Sequence, residues 1–271
     1  MSVVSDNLRI GIVARTDLSD AIKFTRKVRK FLSKADVVLE RGIAEKLGKR
    51  GVSIRAMKVD AIVTIGGDGT VLLAQQKAPD VPVLGINMGG RGFLADVGPA
   101  EAQKAMRKLL AGELPVRERA KLAIEIAGKR LLDALNEAVV RAASVGHMLA
   151  YEVLVDGEVV EDTRGDGLIV ATPTGSTAYS LAAGGPIVDI RLDALVITPI
   201  CTSRPYAAPL VVPGDSRIEV KIKRRDATVI VDGQFAAKVE PGDKLLFHRS
   251  EKSAKFFGWG DEFYRRIREK L

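Results

Sequence analysis

The segment Gly66-Gly67-Asp68-Gly69-Thr70 places one carboxylate inside a cluster of three glycines, directly after an apolar run. Glycine lets a backbone turn sharply and approach a ligand closely, and the first N–H groups of a following helix attract phosphate. A carboxylate beside a phosphate is unfavourable unless it binds a metal or accepts a proton. The segment therefore predicts a phosphate loop of Gly66, Gly67, Gly69 and Thr70, with Asp68 in a catalytic role. The alternative is an ordinary turn in which Asp68 caps the helix.

A second glycine-rich segment, residues 87–96, follows the next apolar run along the chain. Glycine loops after successive strands would face the same crevice, where open α/β sheets bind ligands. Phe93 in this segment is either a core side chain or a ring against a ligand. Neither glycine cluster has the spacing of a Walker A loop or of the dinucleotide fingerprint. P-loop chemistry is therefore unsupported, and hydride transfer by a Rossmann enzyme is a poor interpretation.

A third segment, residues 166–180, leads from Asp166 through an apolar run into a turn of small hydroxyl residues. We expect a helix to begin near Thr177, where free N–H groups and hydroxyls would form a phosphate or ribose site. Tyr179 offers a flat face for a base. The alternative is capping, in which Ser176 or Thr177 simply begins the helix.

The hydrophobic pattern predicts two domains that hold these segments. Residues 1–115 alternate between apolar strands and amphipathic helices, and the last of these helices spans residues 99–112. The predicted strands cover residues 8–14, 37–39, 61–65 and 83–86. Such alternation indicates a Rossmann-like α/β domain with a mainly parallel sheet.

Residues 116–250 have a different pattern, with the short alternating runs of a mostly antiparallel, β-rich domain. Asp156-Gly157 is a strong hairpin signal within it. Residues 261–271 return to helical character, and we expect the C-terminal segment 251–271 to pack back on the first domain through this helix. The boundary near residue 115 rests on the change of pattern, because no flexible spacer marks it.

The composition narrows the classes of function. Hydrophobic residues make up 46% of the 271 residues and charged residues 28%, which predicts a packed core and excludes wholesale disorder. One cysteine, Cys201, and two histidines exclude a disulfide framework and a Cys- or His-rich metal centre, so we predict no metal ligands in the protein. Much of the net charge of +8 lies in residues 1–60, with 14 Lys and Arg against 7 Asp and Glu. This basic segment suits a polyanion, or it is a solvated set of helix faces.

The sequence also predicts where the protein works. Its longest uncharged stretch, residues 167–188, is long enough to span a bilayer, but it contains Pro173, Pro186 and four glycines. These residues indicate strand, loop and short helix instead. An aromatic share of 5% is low for a protein that stacks on nucleic acid. We therefore expect a soluble, cytoplasmic protein with neither a membrane nor a nucleic-acid partner.

Taken together, the motifs closely resemble those of the NAD kinases from about residue 8 to residue 250. The matching blocks are residues 66–70, 87–96, 136–137, 166–180, 183–186 and 232–234. The run Thr-Pro-Thr-Gly-Ser-Thr-Ala-Tyr is highly specific to that family. The Gly-Gly-Asp-Gly-Thr turn is less specific, because diacylglycerol and sphingosine kinases share it.

The resemblance implies a role for each matching position. Asp68 would be the base that takes the proton from the 2′-hydroxyl of the adenosine ribose of NAD. Asn136 and Glu137 would contact the adenine and ribose portions, and Thr177, Ala178 and Tyr179 would form the adenine-binding turn. The remaining substrate-binding positions would be Gly69, Phe93, His147, Arg164, Asp166, Ser180, Ala182 and Gln234. His147, Arg164 and Gln234 have structural alternatives, as a solvated histidine, a surface arginine and a turn glutamine.

Two positions depart from the family pattern. Arg91 stands where many relatives carry an apolar residue, and it is either a phosphate contact or a surface charge. Ala182 lies where several relatives have a serine, so one hydrogen bond would be missing there. Neither departure touches the proposed base.

The resemblance further implies a phosphoryl donor, a cation and an assembly. The donor would be ATP or inorganic polyphosphate, with a divalent cation, Mg²⁺, held mainly by the donor phosphates. The family also implies a homodimer or homotetramer. Two other functions stay open at this stage: a lipid kinase of the same superfamily, and a non-catalytic nucleotide- or nucleic-acid-binding module.

Overall fold

The computed structural model describes residues 8–90, 92–144, 146–204, 207–260 and 263–271. It divides into two compact units. Unit 1 combines the chain up to Glu118 with Ala254–Leu271, and unit 2 is Arg119–Ser253. Unit 1 is an α/β domain with a mainly parallel sheet and unit 2 is mostly antiparallel β structure, so the predicted fold class is confirmed.

Sixteen strands and six α-helices lie in the described part of the chain. The strands are β1 (Arg9–Ala14), β2 (Asp36–Leu39), β3 (Ala61–Gly66), β4 (Val83–Asn87), β5 (Val116–Ile126), β6 (Lys129–Arg130), β7 (Glu137–Ala142), β8 (Leu149–Val155), β9 (Glu158–Gly165), β10 (Gly167–Ala171), β11 (Ala194–Ile200), β12 (Leu210–Pro213), β13 (Ile218–Arg224), β14 (Ala227–Val231), β15 (Phe235–Val239) and β16 (Lys244–Phe257). The helices are α1 (Ser19–Phe31), α2 (Arg41–Lys46), α3 (Asp68–Lys77), α4 (Ala102–Leu110), α5 (Tyr179–Ala182) and α6 (Phe263–Lys270). Short 3₁₀ turns cover Ile54–Ala56 and Gly175–Thr177.

The sheet of unit 1 has the strand order β2-β1-β3-β4, and all of these strands are parallel. The last residues of β16 extend it, with Phe256 paired to Val83 of β4. Every residue of β3 is buried, as expected for a central parallel strand covered on both faces. Because the strands are parallel, the loops that follow β3 and β4 leave the sheet at the same edge. The two glycine-rich segments are therefore neighbours.

The helices of unit 1 follow the periodicity of their sequences. α1 buries Ala21, Thr25 and Val28, which recur on one face at helical spacing. Its first turn contains the acidic Asp20 and its last turn the basic Arg29 and Lys30, so these charges interact favourably with the helix dipole. α4 lies within the helix predicted over residues 99–112 and ends just before Gly112, whose φ of +66° suits a helix terminus.

Unit 2 contains two antiparallel sheets packed around one apolar core. One sheet has the order β12-β11-β10-β7-β14-β15, and the other contains β16, β13, β8 and β9. Side chains from both sheets, such as Val140 of β7 and Val220 of β13, are fully buried in the shared core. The hairpin predicted at Asp156-Gly157 joins β8 to β9, and both turn residues have positive φ, 51° and 89°. That geometry is what an Asp-Gly hairpin turn requires.

The segment after β10 differs from its prediction in detail. A 3₁₀ turn over Gly175–Thr177 replaces the start of the expected helix, and α5 follows as a single short turn. Ala178 separates them with φ −101° and ψ −126°, outside the helical region, so the helix cannot run through it. Among the helices of the described ranges, none is long and apolar enough to cross a bilayer.

Candidate active site

A row of backbone amides holds the carboxylate of Asp68. Asp68 is the first residue of α3, directly after the cap residue Gly67. The N–H of Phe93 donates to Oδ2 at 2.6 Å, and the N–H groups of Leu94 and Ala95 donate to Oδ1 at 2.9 and 3.1 Å. An ionised carboxylate has only acceptor positions, and peptide groups of one short loop occupy three of them. The position of both oxygens is therefore fixed.

This geometry decides against the capping interpretation of Asp68. Gly67 occupies the N-cap position, and the Asp68 side chain bonds to residues 93–95, which lie 25 to 27 positions further along the chain. The hydrogen bonds therefore join the loop after β3 to the loop after β4. They do not satisfy the first turn of the helix itself.

The loop that carries these amides depends on its glycines and on Asn87. A Cβ added to Gly92 would lie 2.5 Å from Asp68 Oδ1, so any larger residue would displace the carboxylate. Asn87 shapes the preceding turn, because its Oδ1 accepts the N–H of Gly89 at 3.1 Å and its Nδ2 donates to the carbonyl of Gly90 at 3.3 Å. Close packing at Gly92 thus brings the loop within hydrogen-bond distance of Asp68.

The predicted phosphate loop has one packed side and one open side. Gly66 is buried, and a Cβ there would lie 2.4 Å from Thr70 Oγ1. A Cβ on Gly67 or Gly69 would instead meet no atom within 4 Å. The Cβ sides of Gly67 and Gly69 therefore face open space, so a ligand can approach these two residues closely.

Unit 2 contains a separate cavity of about 610 Å³. Its lining residues are Glu137, Val139, Arg141, Ala142, Ser144, Gly146, His147, Asp166, Tyr179, Ile200, Ile230 and Gly233. Apolar side chains form part of this lining, and two carboxylates, an arginine and a histidine supply charge and hydrogen-bonding groups. This size and mixture of groups are typical of a pocket for a nucleotide-sized ligand.

Strand register explains why these residues meet. Glu137, Val139 and Arg141 alternate along β7, so their side chains share the face of the sheet that the cavity occupies. β7 pairs antiparallel with β10, and Glu137 lies opposite Ala171, the last residue of β10. The turn that follows β10, with Tyr179, therefore starts beside Glu137.

Asp232 organises the start of β7 from the neighbouring strand. It follows β14, has a φ of +48°, and directs its buried carboxylate at three successive amides. The N–H of Leu135 donates to Oδ2 at 2.9 Å, and those of Asn136 and Glu137 donate to Oδ1 at 2.8 and 3.2 Å. Burial raises the pKa of Asp232, whereas these hydrogen bonds and the charge of Lys121 lower it.

Glu137 is a buried acid on the cavity wall. Its Oε2 has no hydrogen-bond partner among the residues that the structure describes. Burial, followed by repulsion from Asp232, raises the pKa of Glu137 to about 8. Glu137 therefore carries a proton over much of the neutral range and can donate a hydrogen bond as well as accept one.

The structure brings together some of the predicted substrate-binding residues of unit 2 and places others elsewhere. Glu137, His147, Asp166 and Tyr179 line the cavity. The side chains of Arg164, Ala182 and Gln234 are exposed and lie outside this lining, and Thr177 and Ala178 are partly buried beside it.

Two of the predicted residues are buried. Asn136 is 9% exposed and lies beneath the segment after β10, where its carbonyl accepts the N–H of Thr172 at 2.9 Å. Ser180 is fully buried, and its hydroxyl is 2.8 Å from that of Thr198. The Ser180 hydroxyl therefore lies in the interior of unit 2.

In unit 1, Gly69 is exposed and Phe93 is half-buried beside Asp68. Arg91 lies outside the described residues.

Sequence reasoning missed several residues that shape the two sites. Asp232 was noted only as part of the family block 232–234, without a role of its own, and Arg141 was not noted at all. Arg266 and Lys270 of α6, which contact the loop that holds Asp68, carried no signal beyond the helical pattern. Besides that block, the positive φ that an Asp-Gly pair favours is a local clue to Asp232.

Comparisons with known proteins identify what the chain is similar to. The family models for the ATP-NAD kinase N-terminal domain and the ATP-NAD kinase C-terminal domain match residues 10–114 and 135–258. The NAD kinase of Methanothermobacter thermautotrophicus is 42% identical over 97% of this chain and 96% of its own length. That of Thermoplasma acidophilum is 38% identical over 97% and 98%.

Solved structures show the same fold. An NAD kinase from Archaeoglobus fulgidus in complex with ATP is 28% identical, with a TM-score of 0.79 over 96% of this chain and 99% of that one. Yeast NADH kinase complexed with NADH is 23% identical and has a TM-score of 0.88 over 98% and 87%. The second likeness concerns the fold alone. Two family models that together span both units, and a relative 42% identical over nearly the whole length, lead to one conclusion: the chain belongs to the NAD kinase family.

Proposed function

We propose that this protein transfers a phosphoryl group from ATP or polyphosphate to the 2′-hydroxyl of the adenosine ribose of NAD, which gives NADP. Membership of the family supports this activity over the lipid kinases that share the Gly-Gly-Asp-Gly-Thr turn. The ATP complex of the Archaeoglobus fulgidus relative supports ATP as a donor. The acceptor hydroxyl loses a proton as its oxygen attacks the terminal phosphorus, and the donor leaves as ADP or a shortened polyphosphate.

Asp68 is the general base of the proposed reaction. The observation that carries this assignment is its hydrogen bonding to residues 93–95. Within the described ranges Oδ2 accepts one hydrogen bond and Oδ1 accepts two, so an acceptor position remains on Oδ2 for the proton of a hydroxyl. A fixed carboxylate with a free lone pair is what general-base catalysis needs. Phosphoryl transfer otherwise depends on positioning and on charge neutralisation.

The cavity of unit 2 is the proposed site for the dinucleotide. Tyr179 is 48% exposed and lines the cavity, so its ring is available to stack on adenine. Asp166 and Glu137 would accept hydrogen bonds from ribose hydroxyls, and Glu137 in its protonated form would also donate one. Arg141 and His147 would contact a diphosphate. The other substrate-binding positions that the family resemblance implies remain part of this proposal.

A divalent cation, Mg²⁺, accompanies the donor in this proposal. The open Cβ sides of Gly67 and Gly69 would let the donor phosphates approach, and Mg²⁺ in such complexes takes most of its ligands from phosphate and water. When bound, the cation neutralises charge on the transferring phosphoryl group. Asp68 keeps its proton-accepting role, because amides occupy three of its acceptor positions.

We also propose that the chain forms a homodimer or homotetramer and works in the cytoplasm. The outer strands β9 and β12 of unit 2 expose apolar side chains, Val159 at 56% and Val211 at 52%, and an exposed sheet edge readily pairs with another strand. The exposed free Cys201 suits a reducing compartment. Light scattering from purified protein tests the assembly, and a monomeric mass would contradict it.

The test of the activity is NADP formation from NAD, with ATP and polyphosphate as donors in parallel assays. Asp68→Asn retains the size of the side chain but cannot accept a proton at neutral pH. We expect it to bind NAD normally in calorimetry and to lose about 10²–10⁴-fold in kcat. Asp80→Asn, which alters an exposed carboxylate between α3 and β4, is the matched control and should be fully active. An Asp68→Asn variant with most of the wild-type rate would rule out the proposed base.

A further inference from the structure

Two cationic side chains of α6 contact the loop whose backbone amides bind Asp68. The ammonium of Lys270 donates to the carbonyl of Gly92 and lies 5.6 Å from the ring centroid of Phe93. The guanidinium of Arg266 donates to the carbonyl of Phe93 at 2.9 Å and to Asp96 Oδ2 at 2.8 Å. The helix therefore contacts two successive carbonyls and one carboxylate of this loop.

The same two peptide groups face Asp68 on their other side. The carbonyl of Gly92 and the N–H of Phe93 belong to one planar peptide group, which Lys270 binds through its oxygen and Asp68 through its nitrogen. The carbonyl of Phe93 and the N–H of Leu94 form the next group, which Arg266 and Asp68 bind in the same way. Because a peptide group is rigid and planar, a cation that fixes its oxygen also fixes the direction of its N–H.

These contacts also strengthen one another electrostatically. A positive charge on a carbonyl oxygen polarises the peptide group, which makes its N–H a better donor to the carboxylate on the far side. Arg266 and Asp96 are 13% and 15% exposed, so their ion pair is well shielded from water. Burial and the neighbouring Arg266 lower the pKa of Lys270, while Asp68 and other carboxylates act to raise it. Lys270 thus lies within electrostatic range of the carboxylate that it helps to hold.

We propose that Lys270 and Arg266 are positioning residues for the phosphoryl-transfer reaction, which they support through two peptide groups that orient and polarise the bonds to the Asp68 carboxylate. The proposal rests on the proposed function of Asp68 as the base. Lys270 and Arg266 themselves contact neither substrate nor the transferred proton in this scheme. Their effect is to keep one acceptor position of Asp68 directed at the hydroxyl.

The first test measures kcat and both KM values for Lys270→Met, Arg266→Met and the conservative Lys270→Arg. Loss of positioning typically costs up to about a hundredfold in rate, so we expect each methionine variant to lose about ten- to a hundredfold in kcat. KM for NAD should stay within twofold, and Lys270→Arg should recover most of the rate because it still donates to the carbonyl. Arg268→Met is the matched control, since Arg268 lies on the same helix with its side chain 78% exposed.

A double-mutant cycle separates positioning of Asp68 from a merely structural effect. If Lys270 acts through Asp68, adding Lys270→Met to Asp68→Asn should lower the residual rate by less than twofold, because no base remains to be positioned. A double variant whose loss equals the product of the two single losses would contradict the proposal. Amide hydrogen exchange gives a readout apart from activity: the N–H groups of Phe93 and Leu94 should exchange faster in Lys270→Met than in the wild type.

The outcomes distinguish this inference from the proposed function. Wild-type protein that forms no NADP, or a fully active Asp68→Asn variant, would overturn both. This inference alone would be overturned by the following combination. The wild type is active and Asp68→Asn loses most of its rate, but both methionine variants keep the wild-type kcat and the wild-type rates of amide exchange. A raised KM for the phosphoryl donor at constant kcat would also overturn it, because Lys270 would then bind the donor directly.

Discussion

Asp232 and Glu137 are joined by a reciprocal pair of hydrogen bonds: the N–H of Asp232 donates to the carbonyl of Glu137 at 3.0 Å, and the N–H of Glu137 donates to Asp232 Oδ1 at 3.2 Å. Two acids, each only 6% exposed, are therefore held side by side at the start of β7. Their proximity is one reason why the pKa of Glu137 is raised.

Glu137 should make the stability of the protein fall as pH rises. Its folded pKa of about 8 exceeds its ordinary value of 4.5, so between these values the folded state retains a proton that the unfolded state has lost. The contribution of this retained proton to the free energy of unfolding is complete below about pH 4.5 and is lost as the pH rises to about 8. One proton corresponds to a slope of up to about 1.4 kcal/mol per pH unit. We therefore expect the free energy of unfolding of the wild type to fall relative to that of Glu137→Gln when both are measured from pH 5 to 9. Parallel curves would show that Glu137 titrates normally.

Replacing Asp232 with asparagine should disturb both stability and NAD binding. The new NH₂ group cannot accept, so at least one of the three amides it faces loses its partner in a buried place, at about 1–3 kcal/mol. We expect the variant to unfold at a lower denaturant concentration than the wild type. We also expect a higher KM for NAD, because the start of β7 loses part of its hydrogen bonding. Asp226→Asn, an exposed change just before β14, is the control. Wild-type stability and KM in Asp232→Asn would refute this role.

Gly92→Ala should lower kcat without unfolding the protein. The added Cβ would lie 2.5 Å from Asp68 Oδ1, so the carboxylate and the loop must move apart. A shift of that size at the proposed base should cost about ten- to a hundredfold in rate. Gly98→Ala is the matched control in the same loop between β4 and α4, since its Cβ would lie 3.5 Å from the nearest atom, the Oε2 of Glu101. Equal rates for the two variants would mean that the amide contacts to Asp68 are unimportant for turnover.

Tyr179→Ala should weaken NAD binding by about 1–3 kcal/mol, the usual contribution of a stacked aromatic ring. The side chain is 48% exposed, so its removal should leave thermal stability nearly unchanged. Calorimetric titration with NAD measures the effect, and Tyr179→Phe, which keeps the ring, should bind as the wild type does. If Tyr179→Ala binds NAD normally, adenine does not lie on this ring.

Features that depend on neighbouring residues in sequence were predictable. The apolar run before Gly66, the hairpin at Asp156-Gly157 and the helical spacing within α1 each have a local physical cause, and each gave an element of the right type. The fold class followed from the change between these patterns. The position of Asp68 at the start of a helix after a glycine turn was also readable, because glycines and an acid mark it directly.

Features that depend on distant backbone groups were not predictable. The amides that hold Asp68 belong to residues 93–95, and peptide groups look alike in every sequence. Arg266 and Lys270 lie more than 170 positions from the loop that they contact. The burial of Glu137 follows from the pairing of β7 with two other strands, which no local pattern specifies. The dihedral angles of Ala178, which interrupt the expected helix, have no explanation in its side chain.

Unit 1 is made from two pieces of chain, with residues 119–253 inserted between them. During synthesis the inserted piece emerges as one uninterrupted stretch, whereas unit 1 must wait for its last strand segment and for α6. The emerging chain therefore contains all the lining residues of the cavity in unit 2 before it contains Arg266 and Lys270. Message truncation or proteolytic loss near residue 260 would thus leave a chain that retains those lining residues but lacks the two cations that contact the loop around Asp68. If the cavity binds NAD as proposed, such a chain would keep the residues for binding and lose those that position the proposed base.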